Sequence, residues 1–183
     1  MLFMGFITFQ FNGCSSASSS LIVDDEYSQV MRIFDKLTEK KEIVGIGVAS
    51  PNDGDDVSFQ ESLAIAIAQT RISNRVETKV ISKLKEYTQE TGIKDNKKFI
   101  KDVKEAIITK TKNTLKGAKI KKRLRGKSGK IYILMTLKTQ DLLNALKLSS
   151  DDIKDKETQI QYIQFTAGKY WDELEQDLGE KRK

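Results

Sequence analysis

Apolar residues in this chain follow two rhythms: they recur every three or four positions over long stretches, and they bunch into three short runs. The first rhythm belongs to a helix with one buried face and the second to a strand. From Asp24 to Lys40, Tyr27, Val30, Met31, Phe34 and Leu37 keep helical spacing. Asp24, Asp25 and Glu26 stand at the end where the helix dipole favours negative charge, so the spacing predicts a helix of about four turns. Ile43-Val44-Gly45-Ile46-Gly47-Val48-Ala49 is continuous and β-branched, and Pro51-Asn52-Asp53-Gly54 closes it. That composition predicts a buried strand and then a tight turn. Gly45 and Gly47 share one face of such a strand, where alternate glycines admit a neighbouring backbone.

Ser58-Phe59-Gln60-Glu61 has the spacing of a capping box, and Ile65, Ala68, Ile72, Val76, Val80, Leu84 and Tyr87 follow as one stripe up to Gly92. A helix of about 30 residues, about 45 Å long, is expected. Its alanines at 64, 66 and 68 allow it to lie close against the glycine-bearing strand. A second helix is expected from Asn96 to Asn113, burying Phe99, Ile100, Val103, Ile107 and Ile108. Leu115 to Arg125 alternates, with Ala118, Ile120 and Leu124 on one side and Lys119, Lys121, Arg123 and Arg125 on the other, as a half-buried strand does. After Gly126-Lys127-Ser128-Gly129, the run from Ile131 to Leu137 is apolar on both faces. An antiparallel hairpin with the second strand more central follows. Leu142, Leu143, Leu146 and Leu148 begin the closing helical part. From Ser149 to Lys183, Ile153, Ile160, Ile163, Ala167, Trp171, Leu174 and Leu178 approximate a heptad seam interrupted by Gly168. The expected fold is therefore α+β. A small antiparallel sheet, assembled from a strand, two helices and a hairpin, is packed by a long helix and extended by helices at both ends.

Composition narrows the chemistry. With 38% hydrophobic and 32% charged residues the chain folds with a strongly polar surface. The net charge of +6 favours anionic contacts. There is no histidine, which excludes imidazole-based triads and histidine zinc motifs. The single cysteine, Cys14, forms neither an internal disulfide nor a thiolate metal cluster. No catalytic residue, metal ligand or cofactor is assigned.

The first eleven residues, MLFMGFITFQF, have the length of a signal-peptide core and fall short of the ~20 residues a spanning helix needs. Phe11-Asn12-Gly13-Cys14 then resembles a lipobox, in which a small residue precedes a cysteine that is acylated and becomes the mature N-terminus. Gly13 and Cys14 fit; Phe11, Asn12 and the lack of Lys or Arg before the apolar run depart from it. The alternative is a buried first element in which Cys14 is an ordinary core residue. The Ser15-Ser16-Ala17-Ser18-Ser19-Ser20 that follows reads as a tether, which favours acylation. Ser15 after the cysteine resembles the signal permitting transit to an outer membrane.

Four further features invite functional readings. Gly126-Lys127-Ser128 resembles part of a phosphate-binding loop, but Lys121 stands where the motif needs glycine and the context is a hairpin. Asp55-Asp56 and Asp151-Asp152 lie in turn or helix-start contexts and read as caps. Asp53-Gly54-Asp55 lacks the spaced ligands and final glutamate of a calcium loop. The cationic positions Lys119, Lys121, Arg123 and Arg125 read first as a solvated, aggregation-resistant sheet face. Their functional alternative is an anion-binding face for phospholipid head groups, acidic glycan or nucleic acid. No aromatics interleave with them, which counts against base stacking and makes nucleic acid the weakest of these ligands.

Taken together, Gly45-Ile46-Gly47-Val48-Ala49, the helix start with Ala64, Ala66, Ala68 and Arg71, Leu115-Lys116-Gly117-Ala118, and Gly129-Lys130-Ile131-Tyr132-Ile133-Leu134 resemble the twenty-kilodalton bacterial lipoprotein-antigen family, the LPP twenty family. The resemblance covers residues 43–147. Lys41-Glu42 stands where that family often has a Pro-x-Trp element. It implies a lipid-anchored envelope domain, with relatives among flagellum-associated outer-membrane lipoproteins, and only the lipidated cysteine carries over, onto Cys14. The organisation expected is a signal segment and lipobox at 1–14, a tether at 15–23, an α+β domain at 24–148 and a C-terminal helical extension at 149–183. The expected function is that of a non-enzymatic structural or assembly component of the bacterial envelope. Its partners are a membrane, reached through the N-terminal lipid, and other proteins or copies of itself, with no small-molecule substrate. The alternative is an anion-binding module using residues 119–125.

Overall fold

The computed structural model describes residues 25–39, 41–51 and 56–179. The elements run α1 (Asp25–Leu37), β1 (Glu42–Ala49), α2 (Val57–Thr91), α3 (Asn96–Thr114), a short 3-10 turn (Leu115–Gly117), β2 (Lys119–Arg125), β3 (Ile131–Lys138), α4 (Thr139–Ala145), α5 (Lys156–Thr166) and α6 (Lys169–Gly179). The three strands form one antiparallel sheet in the order β1-β3-β2, so the most apolar strand is central and its two neighbours are edges. This is the expected α+β architecture.

Period two divides the sheet between two layers. On one face, Ile43, Ala49, Ile131, Ile133, Met135 and Leu137 join the main core beneath α2. On the other, Val44, Ile46, Tyr132 and Leu134 meet Val30 and Phe34 of α1 in a smaller core. The close approach foreseen from the glycines is what brings α2 onto β1. A Cβ at Gly45 would fall on the carbonyl oxygen of Ala68, and one at Gly47 on that of Ala64. The helix buries Gln60, Ala64, Ala68, Ile72, Val76, Val80, Leu84 and Tyr87 in a single row, with Ile65 only partly buried at its side.

α2 starts slightly earlier than its sequence signature predicts. Asp56 is the cap, accepting a hydrogen bond from the Ser58 backbone N–H at 3.1 Å. Ser58 and Glu61 thus lie inside the helix and do not form a capping box. At 35 residues the helix is about 52 Å long and crosses the whole body. It ends where Gly92 adopts the left-handed conformation (φ 66°), returning its N–H to the Thr88 carbonyl, as a helix C-terminus does when glycine is present.

The single seam expected over residues 149–183 is replaced by two helices that break at Ala167-Gly168. α5 buries Thr158, Tyr162 and Phe165, whereas Ile160 and Ile163 are 58% and 61% exposed. Trp171, Leu174 and Leu178 of α6 are buried as expected. The closing helices share the main core with α2 and α3. Tyr87, Phe99, Tyr162, Phe165, Tyr170 and Trp171 make an aromatic cluster at that end, with ring centroids 5.6 to 6.2 Å apart.

Candidate functional site

Cys14, the proposed lipidation residue, lies outside the described residues, as do Asn52 to Asp55. The basic strand is fully described, and its geometry departs from simple alternation. A register shift between Ile120 and Lys122 leaves Lys121 without a partner on β3, as a β-bulge does. One extra residue reverses the faces beyond it. Lys119 is opposite Thr136 and Lys122 opposite Leu134, on the α1 side. Arg123 and Arg125 are opposite Ile133 and Ile131, on the α2 side. Leu124 accordingly packs with the α1 core, and Ile120 with the main core. The four cations expected on one face are therefore divided between two.

Two of the four are also neutralised locally. The Lys121 ammonium lies 2.7 Å from Glu39 and 3.2 Å from Glu42, and the hydrogen bond to Glu39 first, then that to Glu42, raises its pKa. Arg123 pairs with Glu61 of α2 at 3.0 Å. Lys119 and Arg125 are exposed and carry no ion pair with another described residue.

The Gly126–Gly129 turn behaves differently from a phosphate loop. Gly126 N–H donates to the Lys130 carbonyl (2.8 Å) and Gly129 N–H to that of Gly126 (3.0 Å). The Glu26 carboxylate seats against the turn. It accepts from the Ser128 N–H (2.9 Å), the Ser128 hydroxyl (2.6 Å) and the Tyr132 hydroxyl (2.9 Å). These bonds, those from Ser128 above all, hold its pKa at about 2 instead of the ordinary 4.5. The chain's own anion thus occupies the donors that a bound anion would use. No sequence signal announces this pair, because its members lie 102 residues apart in the chain.

A cleft of about 760 Å³ opens where β1 begins, β3 ends and α6 closes. Glu39, Glu42, Asp172 and Glu175 line it, with Lys41 and Lys138 opposite in charge. Lys41 holds a left-handed conformation (φ 67°), fixed by its N–H to the Gly179 carbonyl and its carbonyl to the Thr139 N–H. The Thr139 hydroxyl at this cleft is buried and has no hydrogen-bond partner among the described residues. A second, acidic cleft of about 470 Å³ lies between α3 and the turn before α5. Asp152 and Asp155 there are paired with Lys110 and Lys98, at 2.9 and 2.7 Å. Asp152 also accepts from the Ser149 N–H and hydroxyl, as the turn-capping expectation has it. Among the described residues no group of His, Cys, Asp and Glu has the arrangement to hold a metal ion, and no helix is long and apolar enough to cross a membrane.

No family model, curated protein or solved structure matches this chain.

Proposed function

We propose that this chain is a lipid-anchored bacterial envelope protein, acylated at Cys14, whose α+β body acts through protein contacts as a structural or assembly component and not as an enzyme. The observation that carries this reading is the order of parts in the chain. An apolar run of signal-core length ends at Gly13-Cys14, a serine-rich stretch follows, and a complete core begins with α1. Acyl chains grafted onto one thiol contribute about 0.8 kcal/mol per buried methylene, enough for a multiply acylated cysteine to hold a polar body at a bilayer.

Several titratable groups of the body have shifted proton affinities. The shifted ones are engaged in surface pairs such as Lys83 with Glu173 and Glu86, or in structural contacts such as Tyr162, whose buried hydroxyl donates to the Leu146 carbonyl. The likeness to the LPP twenty family, carried by Gly45 to Ala49 and Gly129 to Leu134, supports the envelope reading and suggests an outer-membrane location. Mass spectrometry of the native N-terminal peptide tests the anchor directly. Acyl mass on Cys14, together with loss of a Cys14→Ser variant from the membrane fraction, is the expected result. An unmodified peptide spanning Met1 to Ser20 would overturn it.

A further inference from the structure

We infer that the end of the body holding the start of α1 and the first turns of α2 rests on the bilayer, with Phe59 and Leu63 inserted at its interface. This inference rests on the lipid-anchor reading and adds an orientation to it.

Phe59 and Leu63 lie four residues apart on α2 and so share one face, 59% and 41% exposed, with Val57 at the helix tip 46% exposed. The opposite face of the same turns, Gln60, Ala64 and Ala68, is buried. Large apolar side chains kept at the surface in this way mark a contact site. Their position says which contact. The Gln60 amide donates to the carbonyls of Ala49 (2.9 Å) and Gly129 (3.0 Å), which fixes this end of α2 against the β2–β3 turn. Glu26 fixes the first turn of α1 on Ser128 of the same turn. The chain therefore comes into the body at the end that displays Phe59 and Leu63.

The length between anchor and body makes this end the one that meets the lipid. However they are arranged, the residues from Cys14 to Asp25 span at most about 40 Å. Of the remaining exposed apolar residues, Tyr27 and Ile33 lie on α1, and Ile160 and Ile163 belong to the helix whose Phe165 ring meets Tyr87 edge-on, 5.6 Å between centroids. Tyr87 is about 42 Å along α2 from Phe59. Bringing that far pair to the bilayer would demand full extension of the connecting residues, whereas the near pair needs almost none. Arg125 and Lys127 at this end are exposed, so the apolar insertion is joined by a cationic contribution toward anionic lipid that weakens with salt. Two side chains bind a bilayer weakly alone, but the anchor converts docking into an intramolecular step.

The test uses the full acylated chain reconstituted in vesicles of phosphatidylcholine and phosphatidylglycerol. Phe59→Cys and Leu63→Cys are labelled with a polarity-sensitive dye, Ile160→Cys and Ile163→Cys serving as references, and quenching by brominated acyl chains is read. Acylation of Cys14 leaves the introduced thiol as the one labelled. Loss of emission at 59 and 63, with none at 160 and 163, is expected. Equal brightness at all four positions with an acylated N-terminal peptide would overturn the docking and leave the anchor standing. An unacylated peptide would remove both. Labels at 59 and 63 already shielded before lipid is added, in a chain that elutes as a dimer, would assign the face to a second copy and overturn the docking as well.

Discussion

Glu26 accepts hydrogen bonds from both the backbone N–H and the hydroxyl of Ser128, so the first turn of α1 closes the turn between β2 and β3. Because the folded carboxyl has a pKa of about 2 against an ordinary 4.5, folding binds fewer protons than unfolding as the pH falls. Its contribution is complete above about pH 4.5 and is lost towards pH 2. Denaturant unfolding followed across this window should show a steeper acid decline for the parent than for Glu26→Gln. Carbon-detected NMR should place the Glu26 midpoint near 2; a midpoint near 4.5 would mean that the latch does not form in solution.

Gly45 and Gly47 face backbone carbonyls of α2, which cannot step aside as a flexible side chain would. Gly47→Ala should lower stability by about 3 kcal/mol or more, the upper part of the range for overpacking. Gly117, with open space around it, provides the comparison: Gly117→Ala should stay within about 0.5 kcal/mol of the parent in chemical denaturation.

The sequence conveyed the fold wherever one rhythm ran unbroken, and misled where a single residue interrupted it. The stripe from Ala68 to Tyr87 and the run from Ile131 to Leu137 are buried as their patterns require, because each repeats long enough to define a face. Lys121 defeats the reading of β2, since alternation carries no mark of the one-residue bulge that moves Arg123 and Arg125 to the opposite side. The chain breaks at Ala167-Gly168, and α5 buries Tyr162 and Phe165 while Ile160 and Ile163, which the seam required inside, are exposed. Contacts set by distant partners, such as Glu26 with Ser128 and Gln60 with Gly129, have no periodic signature at all.

The altered seam has measurable consequences. Phe165 is fully buried among Tyr87, Tyr162 and Trp171, and Phe165→Ala should cost about 3–5 kcal/mol. Ile160→Ser, on the exposed side of the same helix, should change the unfolding midpoint by no more than about 0.5 kcal/mol. A heptad seam running through Ile160 would give the reverse order.

Thr139 is 3% exposed and its hydroxyl lacks a partner among the described residues. A buried polar group of this kind forfeits its hydration, so the near-isosteric Thr139→Val should stabilise the chain by about 1 kcal/mol. In a domain of this size that raises Tm by roughly 2–4 °C, within reach of scanning calorimetry. A fall in Tm would show that the hydroxyl is satisfied in solution, by water or by an occupant of the neighbouring cleft.

Local ion pairing divides the four basic positions into two pairs of substitutions. Removing Lys121 and Arg123 breaks surface ion pairs whose individual worth is about 1 kcal/mol or less and should leave retention on an immobilised polyanion little changed. Removing Lys119 and Arg125 should lower the salt needed for elution, because their charges are not met by a described acidic side chain. If the second pair also elutes as the parent does, the anion-binding alternative loses its footing.

Among the described residues β1 pairs with β3 alone, which lies beyond both long helices and the whole of β2 in the chain. The sheet cannot close until Lys138 has been made, and the cross-links among distant segments form together late instead of accumulating as synthesis proceeds. A chain emerging in order therefore stays open through most of its length. On the envelope reading proposed above, in which the chain is threaded through a translocation channel before it folds, that delay is an asset written into the topology.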